Sequence, residues 1–255
     1  MKSFLTKQKK VLYTLLAAAF WLLVWQGLSM IYNMDFVLPS PIRTASVLVS
    51  KLIELDFWSA IAFSVGRIML GFGMAAVFGI VLAVLGIRIK AIKVLFDPFC
   101  AVVRAVPVVS FIILVLVMFS AKNVSVVISF LMGFPVIYST VSKGVDHTPI
   151  QLLEAADVFG IGFWRSLRYI YLPHLSSFMA SGLSVACGLC FKSGVAAEVI
   201  GYPKGSVGEA MYQAKIGLDM PGMLSYTAVI VVISVLIEKL ILYICTKRGR
   251  GEGAK

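Results

Sequence analysis

Charge is scarce in this chain. Of its 255 residues only 14% are Asp, Glu, Lys or Arg, against about 25% in a soluble domain. Apolar residues reach 60%, more than a soluble fold of this length can hide, and disorder is excluded because disordered chains are polar and charged. Four cysteines are too few for a disulfide scaffold. With two histidines, His147 and His174, there is no H-E-x-x-H zinc site, and Ser184 has no evident base to make it a nucleophile. A G-x-x-x-x-G-K-[ST] phosphate loop is missing too. The nearest stretch, Gly201 to Gly205-Ser206, lacks the lysine, so the chain does not use ATP by that route. Period-2 alternation typical of outer-membrane barrels is absent, as are a fixed-period repeat and a low-complexity linker. Residues 1–255 therefore read as one membrane domain.

What the chain does have is long uncharged runs. A spanning helix needs about 20 apolar residues, and the runs place six spans near 11–32, 66–87, 103–121, 123–143, 174–197 and 221–245. The fold class expected is an all-α membrane protein with six transmembrane helices. The first run exceeds the roughly 7–15 apolar residues of a signal peptide, so it reads as a retained span. Leu38-Pro39-Ser40-Pro41 reads as a rigid turn after it.

The net charge is +11, which in a soluble protein would suggest nucleic acid. Here it is sorted by loop. Lys2, Lys7, Lys9 and Lys10 precede the first span; Arg88, Lys90 and Lys93 follow the second; Lys143, Arg165 and Arg168 follow the fourth; Lys247, Arg248, Arg250 and Lys255 form the tail. The opposite side has only Arg43, Lys51, Lys122, Lys204 and Lys215. Cytoplasmic loops carry the Lys/Arg excess, so both termini are expected in the cytoplasm, with the lipid bilayer rather than nucleic acid as the partner of the charge.

The cytoplasmic loop 144–173 is organised. Thr148-Pro149-Ile150-Gln151 has the pattern of a capping box with proline at the first helical position. The helix would run on through Val158 to a stop at Gly160, suited to the left-handed conformation. A second amphipathic stretch, Phe163, Trp164, Leu167 and Ile170, leads to Pro173, where span five would restart.

These residues resemble a known family. Glu154-Ala155-Ala156, three residues, Gly160, nine residues, Ile170, one residue, Leu172-Pro173 is similar at every position to the EAA loop of binding-protein-dependent ABC importer permeases. Leu38-Pro39-Ser40-Pro41, and Phe191-Lys192-Ser193-Gly194-Val195-Ala196-Ala197-Glu198-Val199-Ile200 before a Gly-rich loop, resemble the nitrate, taurine and alkanesulfonate subgroup. That subgroup often has Trp where this chain has Phe191, and Gly-Leu-Gly where it has Gly205-Ser206-Val207-Gly208. The resemblance covers residues 38 to 245. It implies a type I importer permease fold and a subunit without its own catalysis, working as a pair in the cell membrane. Two ATPase subunits would bind ATP and Mg, leaving this chain without a cofactor, and an extracytoplasmic binding protein would deliver the solute. Glu154, Ala155, Ala156, Gly160, Ile170, Leu172 and Pro173 would form the loop that couples to the ATPase.

Three charges near or within spans are candidates for the path or a gate. Lys192 and Glu198 lie toward the outer end of span five, either as a snorkelling or ion-paired couple or as solute contacts. Glu238 lies in the cytoplasmic half of span six, where pairing within the bundle is favoured over proton transfer. Pro107 and Pro135 suggest kinks. The C-x-x-C pair Cys187 and Cys190 lies too deep for thiolate chemistry. The alternative function is an ion-driven secondary transporter, which would carry inverted repeats and midplane charges; an intramembrane enzyme would need a catalytic pair, and neither pattern is visible.

Overall fold

The computed structural model describes residues 2–32 and 34–251, with side chains described for 12–32 and 34–245. The lysines from Lys2 to Lys10 and the basic tail from Lys247 to Lys255 fall outside the described side chains. Among the described residues every regular element is helical, with no strand. Among the described residues five helices are long and apolar enough to cross a membrane, or six if one pair of helices bent at a short break counts as a single span. The chain divides into two compact units.

The first unit comprises Met1–Ser59 and Ala210–Val229. It contains α1 (Lys2–Tyr32) and α2 (Pro41–Lys51). Trp25 donates its indole N–H to the Pro39 carbonyl at 3.0 Å, and Ser29 donates its hydroxyl to the Leu38 carbonyl at 3.0 Å. Two backbone carbonyls that proline-rich geometry leaves unpaired are thereby satisfied. The Pro-Ser-Pro stretch is more than a turn. Ser40 caps α2, its hydroxyl accepting the Arg43 N–H at 3.1 Å, and Pro41 fills the first helical turn, where its missing N–H costs nothing. Phe57, at the start of the next helix, packs against Tyr226 with ring centroids 4.7 Å apart.

The second unit comprises Ala60–Glu209 and Ile230–Lys255. Most of α3 (Leu55–Leu85) lies in it, followed by α4 (Lys90–Ala105), α5 (Val108–Met118) and α6 (Val124–Asp146). The segment after α6 holds α7 (Ile150–Val158) and α8 (Phe163–Ser166). Next come α9 (Leu172–Gly201), the first residues of α10 (Val207–Ile216) and the later part of α11 (Met220–Gly251). The centre of the unit is α6 packed along α9. Small residues permit the approach: a Cβ at Gly133 would stand 2.7 Å from the Cys190 sulfur, and one at Gly194 2.7 Å from the Ser129 hydroxyl. Val103, Ile112, Val115, Val124, Ile128, Met132 and Ala197 form a buried cluster joining α4, α5, α6 and α9.

Three expectations need correction. The second span does not start at residue 66, because α3 begins at Leu55 and carries Arg67 inside it. The guanidinium donates to the Lys122 carbonyl and, at 3.0 Å, to Asn123 Oδ1, and stacks over the Phe63 ring at 4.6 Å. A satisfied charge does not end a helix. The run expected as one helix over 103–121 is broken, with α4 and α5 meeting at a 103° bend. Pro107 is the cause: it holds Val106 extended at φ −76°, ψ 134°, as residues before proline prefer. Arg104, at the bend, turns back to the Cys100 carbonyl at 3.2 Å. Pro135, by contrast, sits within α6 without ending it.

The third correction concerns Pro173. It does not restart the chain, because α8 continues into α9 through a π-helical turn at Leu167–Tyr171, giving one helix over Phe163–Gly201. Proline at 173 has no N–H for the Tyr169 carbonyl, and its ring would press on that oxygen in a regular helix. The wider turn removes both conflicts, with the Leu172 N–H donating to the Leu167 carbonyl instead.

Candidate functional site

The loop between α6 and α9 carries a short helix ended by a sharp turn. α7 begins at Ile150 with Pro149 before it and no side-chain cap. The expected capping box is not formed: Thr148 is buried and donates back to the Gly144 carbonyl at 3.4 Å, which leaves its oxygen turned away from the helix start. The stop at Gly160 is formed as expected. Its φ is +64°. The Ile161 N–H donates to the Ala156 carbonyl at 2.8 Å and the Gly160 N–H to the Asp157 carbonyl at 3.1 Å, the two bonds of a Schellman motif. Space around Gly160 is open, so glycine is required by backbone conformation and not by packing.

Of the pattern residues, Ala156 is buried at 3% exposure and anchors α7, while Glu154, Ala155, Gly160, Leu172 and Pro173 are exposed and Ile170 is half-buried. The loop also exposes large apolar side chains, Ile150, Leu152, Val158, Phe159 and Trp164, at 50–83%. Exposed apolar side chains grouped in this way are the kind of surface that another protein covers. The base of the loop is braced from within the unit. Arg88 lies over the Phe163 ring at 4.4 Å, Lys93 pairs with Asp146, and the Ser166 hydroxyl donates to the Ile161 carbonyl at 3.4 Å.

The three membrane charges have three different settings. Glu198 is fully buried. Ser64 donates to its Oε2 at 2.5 Å while accepting the Val207 N–H at 2.9 Å. Gly208 packs so closely on Glu198 that a Cβ there would overlap it. Glu198 therefore neither snorkels nor pairs with Lys192, which is exposed on another face of α9. Glu238 is half-buried and accepts the Ser184 hydroxyl at 2.6 Å. Ser184 thus has a carboxylate beside it that the sequence reading did not foresee; the two residues lie 54 positions apart, and no local pattern links them. Ser64 was missed for the same reason. The cap at the start of α10 was legible: Ser206-Val207-Gly208-Glu209 has the S-x-x-E spacing, and the Ser206 hydroxyl accepts the Glu209 N–H at 3.0 Å. Cys187 and Cys190 are buried and unbridged. No group of His, Cys, Asp and Glu that could hold a metal occurs among the described residues.

Comparison with known proteins agrees with this architecture. Residues 75–247 match the family described as binding-protein-dependent transport system inner membrane component. The taurine transport system permease protein of Escherichia coli is 26% identical over 186 residues, covering 72% of this chain and 67% of its own. The bicarbonate transport system permease protein of Synechococcus elongatus is 25% identical over 214 residues, covering 78% and 76%. The crystal structure of a bacterial ABC transporter involved in the import of the acidic polysaccharide alginate superposes with a TM-score of 0.63 at 14% identity, over 96% of each chain. None of these findings supports an ion-driven secondary transporter. The family's members are transport subunits rather than enzymes, served by a separate ATPase and a binding protein. The chain belongs to the binding-protein-dependent transport system inner membrane components, as a multi-pass permease subunit of an ABC importer of the nitrate, taurine and sulfonate kind.

Proposed function

We propose that two copies of this chain form a shared path through the membrane, and that α7 carries motion from the ATPase into it. ATP and Mg are bound by the ATPase, with no cofactor in this chain. Both termini lie in the cytoplasm, no nucleic acid is involved, and the pair opens alternately to the two sides. The observation that carries the reading is the loop itself: a nine-residue helix ended by a Schellman turn, with Glu154 and five large apolar side chains exposed and nothing in the described chain covering them. Such a helix is a rigid lever when its exposed face sits in a groove of the partner. Glu154 fixes its register more than its affinity, as interfacial charges do. The loop joins directly to α9 through the π turn, so a push on α7 reaches the membrane. The solute is a small one of the taurine or bicarbonate type named for the relatives, delivered by the binding protein.

The test is purification of the tagged chain from native membranes in mild detergent, with mass spectrometry of the proteins that accompany it. An ATPase subunit is expected, and its loss with Glu154→Lys or Gly160→Val at unchanged permease yield. A chain that elutes alone while transport continues overturns the proposal.

A further inference from the structure

We infer that Glu198 is a proton-holding site: at neutral pH it is an uncharged carboxylic acid that clasps α3, α6 and the start of α10 to α9. Two polar atoms point to it. Glu198 Oε1 and Ser125 Oγ are both buried, and neither has a hydrogen-bond partner, although the Ser125 side chain faces the Glu198 carboxyl. Glu198, Ser125 and Ser64 are each 0% exposed. Buried polar atoms are almost always bonded, so two orphans that face each other mark a missing hydrogen. The other contacts fix where that hydrogen sits. The Ser64 oxygen accepts the Val207 N–H at 2.9 Å, and its own hydrogen goes to Glu198 Oε2 at 2.5 Å. Oε2 is then an acceptor, as the carbonyl oxygen of a carboxylic acid is. A protonated carboxyl has one O–H to give. Placed on Oε1 it reaches toward Ser125, and one proton serves both orphans.

The ionised form is poorly served by the same surroundings. A carboxylate only accepts, and a buried charge is costly unless it is paired and hydrogen-bonded. The charged groups around it have other partners or other faces. Arg67 on α3 lies near the carboxyl, but its guanidinium donates to the Lys122 carbonyl and to Asn123. Lys192 on α9 is exposed on another face. Glu209 on α10 accepts the Gly205 N–H at 2.6 Å. The neutral acid has a structural task to match. Tyr202 leaves α9 in the left-handed conformation, at φ +32°, with its N–H on the Glu198 carbonyl at 2.7 Å. Val207 closes the same turn onto Ser64. Glu198 thus holds both ends of the turn, one through its backbone and one through its side chain, and sets no net charge inside the bundle.

The test is infrared spectroscopy of the full chain, purified in an ester-free detergent at neutral pH. A protonated carboxyl shows its C=O stretch above the region where carboxylates and amides absorb. The expected result is a band there that Glu198→Gln abolishes. Ser64→Ala should move the band to higher frequency, because the carbonyl oxygen loses its donor. The same loss on Glu198→Gln should appear in a Glu238→Gln background, which separates the two membrane carboxyls. Glu198→Gln should accumulate as folded protein at the yield of the unaltered chain, since its amide supplies an acceptor for Ser64 and a donor for Ser125. A spectrum that Glu198→Gln leaves unchanged in this region overturns the inference and shows an ionised carboxylate, with water or a cation at Oε1. Failure of Glu198→Gln to fold overturns it as well, because the amide offers every bond that the acid would make.

Discussion

Glu198 shows how one residue gains its meaning from distant ones. A carboxylate in a largely apolar helix would by default reach for water or for Lys192, six residues away. It is instead enclosed, receiving the Ser64 hydroxyl, and Gly208 lies flush against it. Two substitutions separate the hydrogen bond from the packing. Glu198→Gln keeps an oxygen for Ser64 and should leave the melting temperature of the detergent-solubilised protein nearly unchanged. Glu198→Ala strands a buried hydroxyl, a cost of about 1–3 kcal/mol, and should lower it by several degrees. Gly208→Ala should also lower it, because the added methyl overlaps Glu198 and overpacking costs about 1–3 kcal/mol. Gly160 is the contrasting glycine. Its surroundings are empty, so Gly160→Ala meets no clash, but the φ of +64° by itself costs an alanine about 1–2 kcal/mol and should lower the melting temperature by a few degrees. The Schellman turn should loosen, and ATPase activity stimulated by the loaded binding protein should fall.

Among the elements, the loop 144–173 was the most legible in the sequence and still held two surprises. Its helix, its glycine stop and its exposed apolar residues all follow from local chemistry: a nine-residue helix bounded by Pro149 and Gly160 needs no long-range information. The misplaced features are those that a neighbour decides. Thr148 has the right residue type to cap α7, but the preceding helix offers it a carbonyl first. Pro173 reads as a break, yet one wider turn absorbs it, and the loop becomes continuous with α9. That continuity carries a prediction. Pro173→Ala removes the need for the π turn, so Leu167–Tyr171 can close to regular α-helical pairing, which rotates α8 and its exposed Trp164 relative to α9. Stimulated ATPase activity should drop while the ATPase still co-purifies, and a cryo-EM structure of the variant should show the narrower turn. If activity is untouched, the angle between loop and membrane helix is not part of the coupling. The bend between α4 and α5 follows similar logic with the opposite result: at Pro107 the residue before proline became extended, and no wider turn bridged the gap.

For the whole molecule, assembly and orientation are the open quantities. The basic residues cluster on one side of the expected spans, including both ends, so a phosphatase fused after Lys255 should be inactive and a fluorescent protein fused there should fold and fluoresce. The reverse result would invert the orientation and place α7 outside, away from any ATPase. The amino-acid sequence determined by itself that the chain is a helical membrane protein, that no ATP site of the phosphate-loop type is present, and that one loop between spans holds a short helix with a glycine stop. Those properties depend on composition and on spacings within a helix turn or two, and such short-range patterns survive without knowledge of the fold. Only the tertiary structure decided that Arg67 lies within a helix and that the third apolar run is a bent pair of helices. It also decided that Glu198 is enclosed, that Glu238 meets Ser184, and that Lys192 remains unpaired on an open face. Each of these turns on which side chain a residue meets dozens of positions away, and so on how α3, α6, α9 and α11 pack within the second unit.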